Sequence, residues 1–356
     1  MMDDALKSLR ARIDTIDDAI LKLVSERAGI AQQVGRAKKG EKIYRPEREA
    51  QIVRRLRETN PGPLDGDTVE RLIREVMSAC RALEQNIRVA YLGPAGTFSQ
   101  AAAYKHFGHA VEAVAEADID ACFRAVETGR ADFAVVPVEN STEGAIARTL
   151  DLIVASPLKI CGEIMLPIHQ NLMRKNAGLE GIDRVYGHAQ SLAQCQNWLN
   201  RHLPRAERVS VVSNSEGARR AAAEPDAATL GSDAAAELYG LAIVEARIED
   251  EAGNTTRFLV LAPADAAPSG RDKTSLVVGV HNQPGAIVKL LQPLADAGVS
   301  MSKLESRPAR SANWEYLFFV VCEGHRQDAK LAATLAEIES RAAFLKILGS
   351  YPAAQS

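Results

Sequence analysis

The sequence predicts a multidomain protein in which an all-α region, an α/β region and a small α+β domain follow one another. An apolar seam with helical spacing runs through the first region, strands alternate with helices in the second, and a strand–turn–helix–strand order marks the third. A chain of 356 residues also exceeds what one hydrophobic core usually supports. We place the domains at 1–87, 88–262 and 274–356, with a linker at 263–273.

The first region is expected to contain one very long helix. Its apolar residues recur at alternating steps of three and four from Leu6 to Val34, and only Arg27 interrupts them. A helix over 4–39 would be roughly 50 Å long at ~1.5 Å per residue. Two shorter helices, beginning near Pro46 and Thr68, cannot cover such a seam. We therefore expect an intertwined homodimer or a higher homo-oligomer.

Strand-like segments dominate the second region and return in the third. The segments AVVPVEN, VYGHA, VSVVSN, AATLGS and RFLVLA are separated by helical stretches, which is typical of an α/β domain. The linker PADAAPSGRDK is rich in proline and alanine. Beyond it, the order of elements is similar to that of a ferredoxin-like fold.

Composition limits the classes of function. The net charge of −3 and the 46% hydrophobic fraction are ordinary for a globular protein and show no bias toward nucleic acid. Five widely spaced cysteines without a CxxC pattern argue against a disulfide framework and a metal site. The N-terminus does not resemble a signal peptide, and no apolar stretch approaches the ~20 residues of a membrane span. We expect a cytoplasmic protein with no metal, cofactor or membrane partner.

Four polar stretches lie at strand ends of the middle region. They are GPAGTFS with Ser99, VPVENSTEG with Glu139 and Asn140, HAQSLAQC with Gln194, and NTTRF with Thr256 and Arg257. Each alone is explained by a strand-to-helix turn or a helix cap. In this order and spacing, however, they closely resemble the prephenate dehydratases.

That resemblance implies two α/β lobes with the substrate in the cleft between them. The reaction would be loss of carbon dioxide and hydroxide from prephenate to give phenylpyruvate. Thr256 would donate a hydrogen bond to the departing hydroxyl group, and Arg257 would bind a carboxylate. Glu139 would be either a partner of Arg257 or a proton source. The orienting groups that the resemblance implies are Ser99, Asn140 and Gln194.

The first region resembles the all-α class of chorismate mutase through LRARIDTIDDAILKLVSERAGIAQQVGRAK and the later PERE. In that class arginines clamp two carboxylates, a lysine donates to the breaking ether oxygen, and the partner subunit supplies the arginine equivalent to Arg10. A monomer should then be inactive as a mutase. The substrate-binding set that the resemblance implies is Arg10, Arg27, Lys38, Arg48, Glu49, Cys80 and Glu84.

Two of these positions depart from the family pattern. Cys80 and Glu84 stand where serine and glutamine are usual, one helical turn apart. A glutamine amide donates to the ether oxygen at any pH, whereas an ionised carboxylate cannot donate. Glu84 must therefore be protonated to assist, and mutase activity should fall as it loses its proton.

The last region resembles an ACT regulatory domain through PGAIV and ESRP. A tight turn at a helix start would explain PGAIV alone, and only the second motif favours a ligand site. The resemblance implies feedback by L-phenylalanine. The effector-binding set is Pro284, Gly285, Ala286, Ile287, Val288, Glu305, Ser306, Arg307 and Pro308.

The sequence therefore predicts a bifunctional enzyme that uses chorismate and prephenate and responds to L-phenylalanine. Two alternatives stay open. The dehydratase site prefers arogenate, the aminated substrate, or the two-lobed region is a ligand sensor without catalysis. The polar set around Thr256 favours an enzyme.

Overall fold

A computed structural model describes residues 2–37, 44–280, 283–308 and 316–354. The helices are, in chain order, α1 (Met2–Ala37), α2 (Pro46–Glu58), α3 (Gly66–Ala82), α4 (Phe98–Phe107), α5 (Ile119–Glu127), α6 (Ala147–Ala155), α7 (Ala189–Gln194), α8 (Gln196–His202), α9 (Asn214–Ala223), α10 (Asp233–Tyr239), α11 (Ala286–Asp296) and α12 (Ala329–Arg341). The strands are β1 (Arg88–Leu92), β2 (Glu112–Glu116), β3 (Phe133–Asn140), β4 (Gly144–Ala145), β5 (Lys159–Pro167), β6 (Asn171–Arg174), β7 (Arg184–Gly187), β8 (Glu207–Ser210), β9 (Ala227–Gly231), β10 (Ala242–Glu245), β11 (Thr255–Ala262), β12 (Asp272–Val280), β13 (Met301–Pro308), β14 (Tyr316–Glu323) and β15 (Phe344–Pro352).

The N-terminal region is helical, as expected, and α1 spans Met2–Ala37, while positions 38 and 39 of the predicted helix lie outside the described residues. Pro46 opens α2, while α3 begins at Gly66, earlier than predicted, because Asp65 accepts a hydrogen bond from the Thr68 amide at 2.7 Å. The seam of α1 stays exposed in the single chain. Its large apolar side chains are Leu6, Leu9, Ile13, Ile16, Ile20, Leu23, Ile30 and Val34.

The middle region consists of two α/β lobes. The first contains the sheet β2-β1-β3-β11-β5, with β4 paired to β3, and the second contains the sheet β10-β6-β9-β7-β8. The chain crosses between them twice, and the crossing segments are hydrogen-bonded side by side. The Ile168 amide donates to the Asn254 carbonyl, and the Ile248 amide donates to the Gln170 carbonyl, both at 2.8 Å. The two-lobed prediction is confirmed.

The C-terminal region forms the sheet β13-β14-β12-β15, with α11 and α12 in the order of a ferredoxin-like fold. One face of this sheet packs on its own helices. The opposite face packs directly on the first lobe, where Val277, Phe319 and Tyr351 share one core with Leu259. A side chain at Gly349 would overlap the Ile160 carbonyl oxygen, so the two sheets approach too closely for any larger residue.

The mutase-like helices are anchored on α4 of the first lobe by buried polar contacts. Arg81 is bonded to Glu49 and donates to the Phe107 carbonyl at 2.6 Å. The Tyr44 hydroxyl lies 2.7 Å from Nε2 of His106. Burial, with Arg74 and Arg81 nearby, lowers the pKa of His106 well below its ordinary value, so the ring is neutral and accepts from Tyr44.

Among the described residues, no helix is both long enough and apolar enough to cross a membrane.

The neutral state of His106 makes stability depend on pH. The folded chain excludes a proton that the unfolded chain binds below about pH 6.5, so stability should fall as pH drops below that value, by up to ~1.4 kcal/mol per pH unit. The free energy of unfolding, measured with urea between pH 7.5 and 5.5, should depend less steeply on pH in His106→Gln than in wild type. His202→Gln, on the exposed face of α8, is the control and should keep the wild-type slope. Equal slopes for wild type and His106→Gln would refute this assignment.

Candidate active sites and effector motifs

The dehydratase candidate site is built on the antiparallel pair β3–β11. Asn140 and Thr256 are direct partners in this pair, and both are buried. The Asn140 amide nitrogen donates to Oγ1 of Thr256 at 2.9 Å and to Oδ1 of Asn254 at 2.8 Å. These contacts bring together three polar side chains that are 114 and 116 residues apart along the chain.

The orientation of the Asn140 amide is fixed by the turn that follows β3. Its Oδ1 accepts from the backbone amides of Thr142 and Glu143, at 3.0 and 3.3 Å. A backbone amide only donates, so the oxygen faces the turn and the nitrogen faces Thr256. Thr256 Oγ1 is therefore an acceptor toward Asn140, which leaves its own proton for donation to another group.

A β-bulge re-aims the end of β3. Glu139 pairs with Arg257 and Pro137 pairs with Phe258, so Val138 is an extra residue on β3. Val138 itself faces the core shared with the C-terminal sheet. Beyond it Asn140 faces the other side of the sheet, where Phe258 packs against α4.

Ser99 lies in the first turn of α4 and is buried. α4 follows β1, which is the parallel neighbour of β3, so Ser99 and Asn140 both come after the carboxyl ends of adjacent parallel strands. Such ends meet at one edge of a sheet, where ligands bind in α/β proteins. The topology thus places Ser99 at the same edge as Asn140 and Thr256, as the sequence predicts.

Gln194 enters from the second lobe, at the end of α7. Its Oε1 accepts from Nε2 of Gln170 at 3.4 Å, next to the crossing between the lobes. Among the described residues, the amide nitrogens of Gln194 and Asn254 are buried without a hydrogen-bond partner. Unpaired buried donors of this kind suit a carboxylate or hydroxyl group of a ligand.

Arg257 and Glu139 are not brought to the face of the strand pair that carries Thr256. Successive residues of a strand point to opposite faces, so the residue after Thr256 points toward the C-terminal sheet. Arg257 Nε donates to Glu163 at 3.0 Å, and its Nη2 donates to the Tyr351 hydroxyl at 3.1 Å. The predicted carboxylate-binding role of Arg257 therefore does not fit its contacts.

Of the two roles left open for Glu139, the geometry favours the ion-pair partner. Its carboxylate lies 4.0 Å from Nη1 of Arg257 and 2.7 Å from Nζ of Lys303, on β13. Both cations belong to the interface with the C-terminal sheet. Glu139 is thus turned away from the Asn140 amide.

Glu163 is the buried anion at the centre of this interface. Burial raises the pKa of its carboxyl group, but Arg257 and Lys273 more than compensate and hold the pKa below its usual value. Nζ of Lys273 lies 2.6 Å from Oε1 of Glu163. Burial also raises the pKa of Tyr351 to about 12, so its hydroxyl stays protonated.

The predicted mutase residues that the structure describes lie on three helices, except Glu84, which follows the end of α3. Arg10 and Arg27 lie on α1, 17 positions apart, which is roughly 25 Å along the helix axis. Such a separation exceeds the reach of one small ligand, so the two cannot serve one site from the same α1. Arg48 is exposed on α2, Cys80 is buried on α3, and Lys38 lies outside the described residues.

Two acidic mutase candidates occupy different surroundings. Glu49 is bonded to the buried Arg81, which the sequence analysis did not anticipate. Glu84 lies against Gly35 of α1, beside a cavity of about 280 Å³ that Gln32 and Arg36 also line. The structure thus places Glu84 beside a recess between α1 and the end of α3, and it pairs Glu49 with Arg81.

The two effector motifs lie on α11 and β13. In PGAIV, Gly285 adopts a φ of +76° at the cap of α11, a conformation that favours glycine. In ESRP, burial alternates along β13. Arg307 faces the first lobe, where it donates to the Ala147 carbonyl at 2.7 Å, and Glu305 pairs with Lys303 at 3.2 Å, while Ser306 is exposed.

Family models match the chain in three consecutive segments. Residues 9–85 match Chorismate mutase type II, residues 89–266 match Prephenate dehydratase, and residues 274–340 match the ACT domain. The bifunctional chorismate mutase/prephenate dehydratase of Neisseria gonorrhoeae is 52% identical over 99% of this chain and 98% of its own.

Solved structures share the fold of the two C-terminal regions. The prephenate dehydratase of Arthrobacter aurescens in complex with L-Phe has a TM-score of 0.69 at 33% identity, covering 75% of this chain and 90% of its own. GqqA, described as a novel type of quorum quenching acylase, has the same TM-score at 29% identity, covering 75% and 98%. The fold alone therefore does not determine the activity.

The match over nearly the full length defines the class as a three-domain enzyme with an ACT domain. The chain belongs to the family of bifunctional chorismate mutase/prephenate dehydratases.

Three functional candidates were missed by sequence reasoning: Asn254, Arg81 and Lys303. Asn254 opens the NTTRF stretch, and an amide before a buried strand was the available signal. Arg81 and Lys303 look like ordinary helix and strand charges, because only tertiary packing reveals their partners.

Removing the charge of Glu163 should destabilise the interface. Glu163→Gln leaves Arg257 and Lys273 with an uncompensated buried charge, and we expect a loss of ~3 kcal/mol in urea unfolding at pH 7. Because the folded pKa is lowered, the wild-type contribution persists above about pH 4.5 and disappears as pH falls through the folded pKa. The stability of Glu163→Gln should therefore not show this decrease at acidic pH.

The matched control is Glu337→Gln, which breaks an exposed pair with Arg341 on α12. Exposed pairs contribute little, so its stability should stay within about 0.5 kcal/mol of wild type. A Glu163→Gln protein as stable as this control would show that the buried pair does not hold the interface.

Proposed function

We propose that this chain converts chorismate to prephenate in its N-terminal helices and prephenate to phenylpyruvate between its two α/β lobes. The observation that carries the dehydratase part is the Thr256 hydroxyl, whose oxygen accepts a hydrogen bond from the fixed Asn140 amide and whose proton is left to donate. Membership in the bifunctional family supports both activities.

The dehydratase step needs help at the leaving hydroxyl group. As the carboxylate carbon departs as carbon dioxide, its bonding electrons enter the ring and expel hydroxide, and aromatisation drives the process. Hydroxide leaves poorly, so a hydrogen-bond donor aimed at that oxygen stabilises the developing charge. Threonine is a weak acid, and Thr256 acts by hydrogen-bond donation while Asn140 holds its oxygen in place.

The substrate at this site is bound by uncharged hydrogen-bond donors from both lobes. Ser99 and Asn254 belong to the first lobe and its edge, and Gln194 belongs to the second. Donors from two lobes require the lobes to be close around the ligand, which also excludes water. Arg257 supports the strand pair from behind.

The mutase site is proposed to form between two copies of the chain. The exposed apolar seam of α1 needs a partner, and a second α1 presents an equivalent seam. In a homodimer, Arg10 of the partner would complete a site with Arg27, Lys38 and Arg48 of this chain. The rearrangement needs no nucleophile, so clamping and charge stabilisation at the ether oxygen suffice.

L-Phenylalanine is the proposed effector, bound at PGAIV and ESRP. The L-Phe complex of the related dehydratase supports this choice of ligand. We also propose a cytoplasmic location, because all five cysteines are free thiols, which suits a reducing compartment.

Thr256→Val tests the dehydratase proposal. Valine keeps the shape of threonine but lacks the hydroxyl, so phenylpyruvate formation should fall by about 10²- to 10³-fold, the usual cost of one such donor. Thr256→Ser should keep most of the rate. Mutase activity, measured on chorismate in the same preparations, should be unchanged.

Normal dehydratase turnover in Thr256→Val would remove this hydroxyl from the mechanism. Turnover of arogenate by wild type should be measured in parallel. We expect prephenate to be the better substrate, and a reversed preference would favour the arogenate alternative. Absence of turnover with both would favour a ligand sensor.

Glu84→Gln tests the role of Glu84, which stands where the mutase family usually has glutamine. An amide donates to the ether oxygen at every pH, whereas Glu84 donates only when protonated. The wild-type rate should therefore decline as pH rises through the Glu84 pKa, and the Glu84→Gln rate should stay nearly constant. Cys80→Ser, which restores the other usual residue without adding a donor at position 84, should keep the wild-type pH profile. Superimposable profiles for Glu84→Gln and wild type would refute the role of Glu84.

A further inference from the structure

Lys303 on β13 bridges two carboxylates that belong to different domains. Its Nζ lies 2.7 Å from Oε2 of Glu139, on β3, and 3.2 Å from Oε2 of Glu305, in the ESRP motif. The lysine side chain is only 19% exposed. One partly buried ammonium group therefore connects the effector motif with the strand that carries Asn140.

The strand end that Lys303 contacts pairs with β11 on one side and with the short strand β4 on the other. The bulge at Val138 separates the terminal pairs, Glu139–Arg257 and Asn140–Thr256, from the regular pairing of β3 with β11. Contacts on the rear face add to this backbone pairing in fixing the side chains of these pairs. Arg257 is held there by Glu163, whose side chain is fully buried.

Glu139 is held differently. Its side chain is 35% exposed, its distance to Arg257 is 4.0 Å, and its short contact is the one with Lys303. The position of Glu139 thus depends on a residue of the C-terminal sheet. Asn140 is the next residue, so the contact of Glu139 with Lys303 acts on the amide that orients Thr256 together with the turn contacts of its Oδ1.

We propose that Lys303 is a positioning residue of the dehydratase site and transmits the state of the effector motif to it. The inference rests on the proposed dehydratase function and on phenylalanine as effector. Lys303 acts through Glu139 on Asn140 and does not touch the substrate. A ligand that engages Glu305 changes how strongly Lys303 is held by Glu139, which couples the two sites energetically.

The first test compares two lysines that both cross the same interface. Lys346 on β15 donates to the Val154 carbonyl at 2.7 Å and the Ser156 carbonyl at 2.6 Å, so its contacts are at the end of α6 rather than with a residue of β3 or β11. Lys303→Met should lower dehydratase kcat by about tenfold, since small misplacements of positioned groups are costly. KM should change by less than about twofold. Lys346→Met should keep the wild-type kcat.

A structural role alone is distinguished by two further variants. Lys303→Arg keeps the cation and should restore most of the rate. Glu139→Gln should lower kcat like Lys303→Met, and the double variant should be no slower than either single one, because both act through one contact. Additive losses, or equal losses in Lys303→Met and Lys346→Met, would overturn the proposal.

The effector part has its own readout. The phenylalanine concentration for half-inhibition should rise by about fivefold or more in Lys303→Met and stay unchanged in Lys346→Met. Unchanged inhibition in Lys303→Met would overturn transmission through Lys303. Failure of the proposed function is recognised separately, since wild type would then show neither prephenate turnover nor phenylalanine inhibition. Mutase activity of each preparation confirms that the variant is folded.

Discussion

The pairing of Asn140 with Thr256 across β3 and β11 is the interaction on which the dehydratase half depends. It joins residues far apart in sequence, makes the Thr256 hydroxyl an acceptor toward Asn140 so that its proton is left for donation, and places that hydroxyl at a sheet edge facing α4. Asn140 can face Thr256 because a bulge in β3 reverses the face to which the residues after Val138 point. If β3 alternated regularly through Val138, with no bulge, Asn140 would point to the opposite face, toward the C-terminal sheet.

The same two strands have a different chemistry on their rear face. Glu139 and Arg257 alternate with Asn140 and Thr256, so a single layer of β-sheet separates the cleft from the regulatory sheet. Charges that look like site residues in the sequence are therefore interface residues. Glu163 binds Arg257 from the neighbouring strand β5, and Lys303 binds Glu139 from β13.

Sequence reasoning succeeded where local patterns decide the outcome. The period of α1, the proline at the start of α2 and the strand–helix alternation predict elements that the structure contains. It could not predict that Glu139 lies on the same face as Arg257, because the bulge on β3 shifts the alternation there and leaves no mark in the residue letters. The partners of Arg81 and Lys303 were equally inaccessible, since they lie 32 and 164 positions away along the chain.

The shared core between the first lobe and the C-terminal sheet limits how freely the domains can be rearranged. Val277, Phe319 and Tyr351 complete a core that the lobe alone would leave open to water, and Gly349 fits against the Ile160 backbone. A gene fragment that ends at the linker would encode a catalytic lobe with a bare apolar sheet. Sensor and catalyst are therefore one folding unit, which only a graft that carries both sheets would transplant intact.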